Sequence, residues 1–389
     1  MRERKLVYLI SPALVAVTVG CVPSEPDASG PAAAVAATSL ASTTASPFTI
    51  LSIAAARPVV TTDGKQHLVY ELVLQNTSAT SAQITRIDVI DQERAGTVAS
   101  YAADALAGIL AVSPAGADPG AVAPGGTAAA FFDLALAPSD RPPRQLAHRI
   151  AVQQDGQATT IAGPTVAVIE QRTPSLGPPL HGDRLLDLNG CCDGGHRRAL
   201  LTINGGLFLA QRFAIDFLRV DDHATFAGDP MNNASYFVFG AEVIATGSGR
   251  IVEAADGMPE NVPPQPLPNV TIDTAAGNHI IEALDDGRFV LYAHLQNGSV
   301  RVQAGDLVRR GRVLALVGNT GNSTQPHLHF HVMDRPSPLI SDGLPYVFEQ
   351  FRLQGTVGVV DGVPSVIPTP PPQRRHNLLP MGLDVIAFP

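Results

Sequence analysis

At 389 residues the chain is longer than one ordinary domain, and with 45% hydrophobic and 16% charged residues it is not a wholly disordered one. Its formal net charge of −9 excludes a basic nucleic-acid footprint. Lysine occurs only at Lys5 and Lys65, so the basic residues are almost all Arg, a compositional bias rather than a functional signal.

The chain begins with a basic stretch, Met1 to Lys5, followed by an apolar run from Leu6 to Val19. That run is shorter than the roughly 20 residues of a spanning helix, which predicts a secretory signal over 1–21. It ends Thr18-Val19-Gly20-Cys21 and resembles a bacterial lipoprotein signal, with Cys21 as the lipidated residue. The expectation is export to the cell envelope with membrane attachment through Cys21. Thr18 stands where leucine is usual, so ordinary signal cleavage and a retained N-terminal anchor are the alternatives. Residues 22–46 are Ala, Ser, Thr and Pro and predict a flexible linker.

From Phe48 the pattern changes. His67–Leu74 and Ile84–Ile90 alternate apolar and polar side chains around the turn cluster Asn76-Thr77-Ser78. Phe131–Leu136 and His148–Gln153 read as further strands, which predicts a β-sandwich over 47–171 with no catalytic constellation. A Pro-rich linker is expected over 172–180. A second, mainly antiparallel β domain is expected over 181–352, with strands at Ala199–Ile203, Leu207–Leu218, Glu242–Ala245, Gly249–Glu253, Asn278–Ala283 and Phe289–Leu295. Asn204-Gly205-Gly206 and Asp285-Asp286-Gly287 are the hairpin signals. Residues 353–389 are expected as a Pro-rich tail whose last stretch, Leu378–Phe388, packs back as an edge strand. Cys191 and Cys192 lack the spacing of a structural zinc site and read as two small buried side chains, with a bridge between them the alternative.

Three segments of the second domain carry candidate chemistry. In Pro326-His327-Leu328-His329-Phe330-His331 the period of two puts His327, His329 and His331 in one row. Imidazoles in a row suit a zinc ion or proton transfer. In Tyr292-Ala293-His294-Leu295, Tyr292 and His294 share a face. In Arg212-Phe213-Ala214-Ile215-Asp216-Phe217 a carboxylate sits in an apolar strand, where burial costs several kcal/mol unless it is paired or metal-bound. The bland readings are satisfied structural histidines and an Arg212–Asp216 ion pair.

These segments occur in order with Gly240–Ala245, Gly249-Arg250-Ile251, Gly277-Asn278-His279, Val302–Gly311 and Gly318–Ser323. The series resembles the lysostaphin-type (LytM-like) zinc metalloendopeptidases over about residues 205–335. The resemblance implies a small antiparallel β domain of duplicated-hybrid-motif type with a groove, and hydrolysis of peptide bonds in bacterial peptidoglycan, so that cell-wall peptides are the expected partners. It further implies Asp216 and His329 as ligands of Zn2+, with His294 and His327 as the catalytic pair that orients the attacking water and stabilises the transition state.

One position departs from the pattern. The family's first zinc ligand, a histidine four residues before the aspartate, is here Arg212, whose guanidinium cannot donate a lone pair. His196 or His331 could complete the set. If 204–206 all form the turn, His196 falls opposite Ala214 and shares the face of Asp216; if the turn is Asn204-Gly205 alone, it faces away. A weak two-residue site, or a metal-free domain with Arg212 on Asp216, are the other outcomes. The reading is a zinc peptidase; its rival is a catalytically inactive domain that binds wall peptide or regulates a partner hydrolase.

Overall fold

The computed structural model describes residues 46–115, 118–192 and 194–389. The signal segment, Cys21 and all but Ser46 of the expected linker lie outside the described residues. Among the described residues no helix is long and apolar enough to cross a membrane.

The N-terminal unit is two antiparallel sheets packed face to face. One is built on Gln66–Asn76 and Thr127–Leu136, the other on Ala82–Asp91 and Gln145–Gln154. Leu68, Tyr70, Leu72, Leu74 and Phe132 from the first meet Ile84, Ile87, Val89, Leu146, Ile150 and Val152 from the second in one core. This is the sandwich the alternation predicts, with one difference. The opposite face of Gln66–Asn76 is not solvated: Val69, Glu71 and Val73 are buried too. Val69 packs into the core of the C-terminal unit, and Val73 meets Leu209, Ala199 and Leu200.

The C-terminal unit is a long sheet whose strands are β1 (Ser175–Leu176), β2 (Gly182–Leu188), β3 (Ile215–Arg219), β4 (Gly249–Ala255), β5 (His279–Leu284), β6 (Phe289–Ala293), β7 (Leu307–Val308), β8 (Leu328–Met333), β9 (Gly343–Leu344), β10 (Val347–Val360), β11 (Val363–Leu378) and β12 (Asp384–Phe388). Their order is β1-β10-β12-β2-β3-β8-β6-β5-β4-β7, with β9 on β8 and β11 on β10. All pairs are antiparallel except β1–β10. Phe217, Phe330, Tyr346, Phe348 and Phe388 fill the core behind the central strands. The mainly β, antiparallel fold class expected from the sequence is what forms.

Four expectations are corrected. Residues 353–389 are not a tail: β10 and β11 form a long hairpin on the two-residue turn Asp361-Gly362, both at positive φ. β12 then enters the sheet between β10 and β2, with every side chain buried, so it is an interior strand and not an edge one. The prolines of β11 are accommodated because that strand is an edge, and its ladder passes from Pro368 to Gln373 without pairing the residues between. The linker over 172–180 contains β1, and Leu176 and Leu180 are buried core residues. Leu207–Leu218 is not one strand. It splits into Gly206–Phe208, paired with Leu201–Ile203, and β3, joined by turns in which Arg212 N donates to Leu209 O and Ala214 N to Gln211 O. Cys191 and Cys192 are buried and disulfide-bonded to each other.

Candidate metal centre

Register places the first two site residues. On β3 and β8, Asp216 stands directly opposite His329, and across β8 and β6 His329 stands opposite Ala293. His294 follows β6 at a φ of 61°, a left-handed turn that swings its ring back over the sheet. His327 lies one residue before β8. The rings of His294 and His327 are 4.8 Å apart, and those of His294 and His329 are 5.7 Å apart. The structure thus brings together all four residues singled out in the sequence.

His196 joins them, by a route the turn argument misses. The hairpin turn is Asn204-Gly205 alone, since Ile203 pairs with Gly206, which should have turned His196 away. His196 is not on that strand at all. It lies on a short 3-10 turn, Gly195–Arg198, reached through a loop from β2, and its Nε2 is 3.2 Å from Asp216 Oδ2. His196, Asp216 and His329 are grouped with ligand atoms within 4.8 Å of one another. His331 does not compete for this place. It stands behind His329, with its Nδ1 3.0 Å from His329 Nε2. It orients that ring, leaving its own Nε2 buried without a partner.

Arg212 is elsewhere. Its Nε and Nη2 donate to the two oxygens of Glu71 at 3.0 and 2.8 Å, and its Nη1 donates to Gly343 O at 2.9 Å and lies 2.6 Å from Asp342 Oδ1. The Arg212–Asp216 pair considered from the sequence is not formed. This side chain points into the boundary with the N-terminal unit and puts no charge in the site. Burial works against its charge, but Glu71 and Asp342 outweigh that and keep it protonated.

The surroundings of the imidazoles decide what the centre can hold. Backbone carbonyls sit behind three of them. Ala214 O is 3.2 Å from His196 Nδ1, Thr320 O is 2.7 Å from His294 Nδ1, and Gln325 O is 2.8 Å from His327 Nδ1. A carbonyl only accepts, so each Nδ1 must carry the proton, which leaves Nε2 as the ring atom available to a metal or a second proton. Two of those Nε2 atoms, on His196 and on His327 (3.3 Å from Oδ1), face the carboxylate of Asp216. Beside an anion each Nε2 either carries a proton, as an imidazolium donating to Asp216, or shares a cation with it. Asp216 is held well below the usual carboxylate range: burial opposes the charge, and the His196 and His327 imidazoles overcome it. Asn189 Nδ2 donates to its Oδ2 at 2.9 Å. Burial pushes His294 and His331 well below the ordinary histidine value, so both are neutral. A two-nitrogen, one-carboxylate set with an open side fits a zinc ion in chemistry and number.

The cluster floors a cleft of about 300 Å³, walled by Leu201, Ile203, Val270, Ile272 and Leu339. Asn189 and Glu71 were missed in the sequence. Asn189 had no signal, but Glu71 carried the one that marked Asp216, a carboxylate inside an apolar strand.

An antiparallel β domain with a buried His/Asp cluster of metal-ligand type at the base of a cleft is the class that fold and site define. The family is found in the sequence: residues 235–339 match the model of peptidase family M23. The chain carries a domain of that family, the LytM/lysostaphin family. The matched span contains His294, His327 and His329 and begins after Asp216. The chain is similar to the peptidoglycan DD-endopeptidases ShyB and ShyA of Vibrio cholerae serotype O1. It is 34% identical to ShyB over 100 residues, 26% of this chain and 19% of that protein. To ShyA it is 34% identical over 64 residues, 16% of this chain and 14% of that protein. The similarity therefore spans less than a fifth of either relative's length. Among solved structures, the catalytic domain of lysostaphin from Staphylococcus simulans is 31% identical, covering 36% of this chain and 76% of that one at a TM-score of 0.22.

Proposed function

We propose that the protein is a zinc metalloendopeptidase of the cell envelope that hydrolyses peptide bonds in bacterial peptidoglycan, with His196, Asp216 and His329 as ligands. The observation that carries this reading is the pair of carbonyl-backed imidazoles, His196 and His327, whose Nε2 atoms converge on Asp216. Membership of family M23 and the similarity to two DD-endopeptidases support the substrate class. The basic and apolar N-terminus ending in Cys21 supports export. Arg212, the feature that spoke for a non-catalytic binder, is engaged by Glu71 and Asp342 and leaves Asp216 free to ligate.

When bound, zinc lowers the pKa of a coordinated water to about 7 and polarises the scissile carbonyl. The residues of the chain do the rest. His294 and His327 flank the open side, and the unprotonated Nε2 of either can take the proton of the attacking water. The carbonyls of Thr320 and Gln325 stabilise the imidazolium so formed, as the carboxylate of a hydrolase triad does. Water oxygen adds to the carbonyl carbon, the C–N bond breaks, and the same histidine returns the proton to the leaving amine.

Metal analysis and digestion of purified sacculi with the full chain test the reading together. One zinc per chain and new amine termini in the digest are expected. His196→Ala loses the metal, whereas His294→Ala keeps it and loses hydrolysis by about 100-fold or more. A wild-type chain that holds no zinc and releases no amine refutes the proposal.

A further inference from the structure

Glu71 belongs to the N-terminal sandwich, yet its carboxylate is fully buried between two arginines of the C-terminal unit. Arg212 takes both oxygens. Arg197 Nη1 takes Oε1, and Arg197 Nη2 donates to the carbonyls of Tyr70 at 2.9 Å and Phe132 at 3.0 Å, two further groups of the sandwich. The Arg197 guanidinium also lies over the Phe131 ring, 5.3 Å from its centre. Arg197 is the residue after His196 on a 3-10 turn of four residues that has no side-chain cap. A short uncapped turn has little stability of its own. What fixes it is the grip of the sandwich, deepest on the buried Arg197, with Arg198 donating to Gly108 O and lying over the same Phe131 ring at its edge of the turn.

We infer that Glu71 is a positioning residue for the metal centre. By anchoring Arg197 it holds the 195–198 turn so that His196 reaches Asp216, and His196 thereby stands in for the ligand lost at Arg212. The inference rests on the reading of His196 as a ligand. It gives the N-terminal sandwich a part in the site: the carboxylate that occupies Arg212 also secures the replacement, so one buried group serves both ends of the substitution. Outer-sphere groups that orient a ligand are worth about 10- to 100-fold in metal affinity.

Competitive chelator titration of the full chain with zinc, and the visible absorption of its Co2+ form, provide the test. Glu71→Gln and Arg197→Met are each expected to weaken zinc about 10- to 100-fold and to move the Co2+ spectrum toward that of His196→Ala. Val69→Ala loosens the same boundary between the two units without touching Glu71, and is expected to leave both readouts as in the wild type. Should Glu71→Gln not fold, Arg197→Met decides, because it leaves Glu71 neutralised by Arg212. Wild-type affinity and spectrum in Arg197→Met overturn the inference, and so does an equal loss in Val69→Ala. If the wild-type chain binds no zinc, the peptidase reading is the one that fails. Hydrogen exchange over 189–199 then judges Glu71 by itself: faster exchange in Arg197→Met upholds the anchoring, and unchanged exchange refutes it.

Discussion

Glu282 offers a stability test whose size follows from its surroundings. Its side chain is fully buried on β5, where Oε2 accepts a 2.7 Å hydrogen bond from Tyr292 Oη and Oε1 has no partner. Tyr292 Oη in turn accepts from Thr246 N at 2.8 Å. Burial raises the carboxyl from 4.5 to about 7, against the smaller pull of the tyrosine. Below about pH 4.5 folded and unfolded chains both hold the proton, and the group costs nothing. As pH rises toward 7 the unfolded chain releases it while the folded chain keeps it, so stability falls across that window and levels off above it. A gap of about 2.5 units at about 1.4 kcal/mol each amounts to roughly 3 kcal/mol. Glu282→Gln keeps an acceptor for Tyr292 and removes the titration. Urea unfolding of both chains from about pH 4.5 to about pH 8 isolates the effect, because the histidine and metal equilibria are common to the two and cancel in the difference. The variant should gain on the wild type by about 3 kcal/mol, nearly all of it below pH 7. A difference that stays flat means the carboxyl ionises as it does in water, and refutes the argument.

The interior place of β12 predicts that Ile386→Ala, at a fully buried position, lowers stability by about 2–5 kcal/mol in denaturant unfolding. Ile367→Ala, on the exposed edge strand β11, should move it by about 0.5 kcal/mol or less. At Gly318 a Cβ would come within 2.4 Å of the Gln296 backbone, and Gly318 N donates to His294 O. Gly318→Ala should therefore push the 318–323 loop off His294, costing about 1–3 kcal/mol in thermal unfolding and reducing hydrolysis more than zinc content.

Period-two alternation identified most strands within a few residues, because a strand that buries one face must repeat every second position. It failed where both faces are covered or none is free. Gln66–Asn76 reads as a half-solvated strand, yet its second face is the seam between the two units, and only Glu71 in that row hinted at a buried partner. The segment 353–389 reads as a tail because proline signals a break. An edge strand whose ladder is interrupted needs no donor at those positions, so the sheet continues through them.

At the centre, local pattern and global fold divide the work. Asp216, His294, His327 and His329 were legible singly from residue type and alternation and as a set only through the resemblance to the lysostaphin-type peptidases; strand pairing is what brings Asp216 and His329 together. His196 was legible only as a residue type. Its reach depends on a loop after β2 and a turn held from outside the domain, and neither leaves a periodic trace. Arg212 reads as the loss of a ligand because a motif counts positions along one strand. A metal counts donors in space, and a donor can be delivered by any segment the fold holds rigidly enough. On the inference drawn above, His196 meets that condition through Arg197 and Glu71. Whether an altered motif has lost its chemistry is therefore decided by what fixes the nearest free lone pair, and not by the altered residue itself.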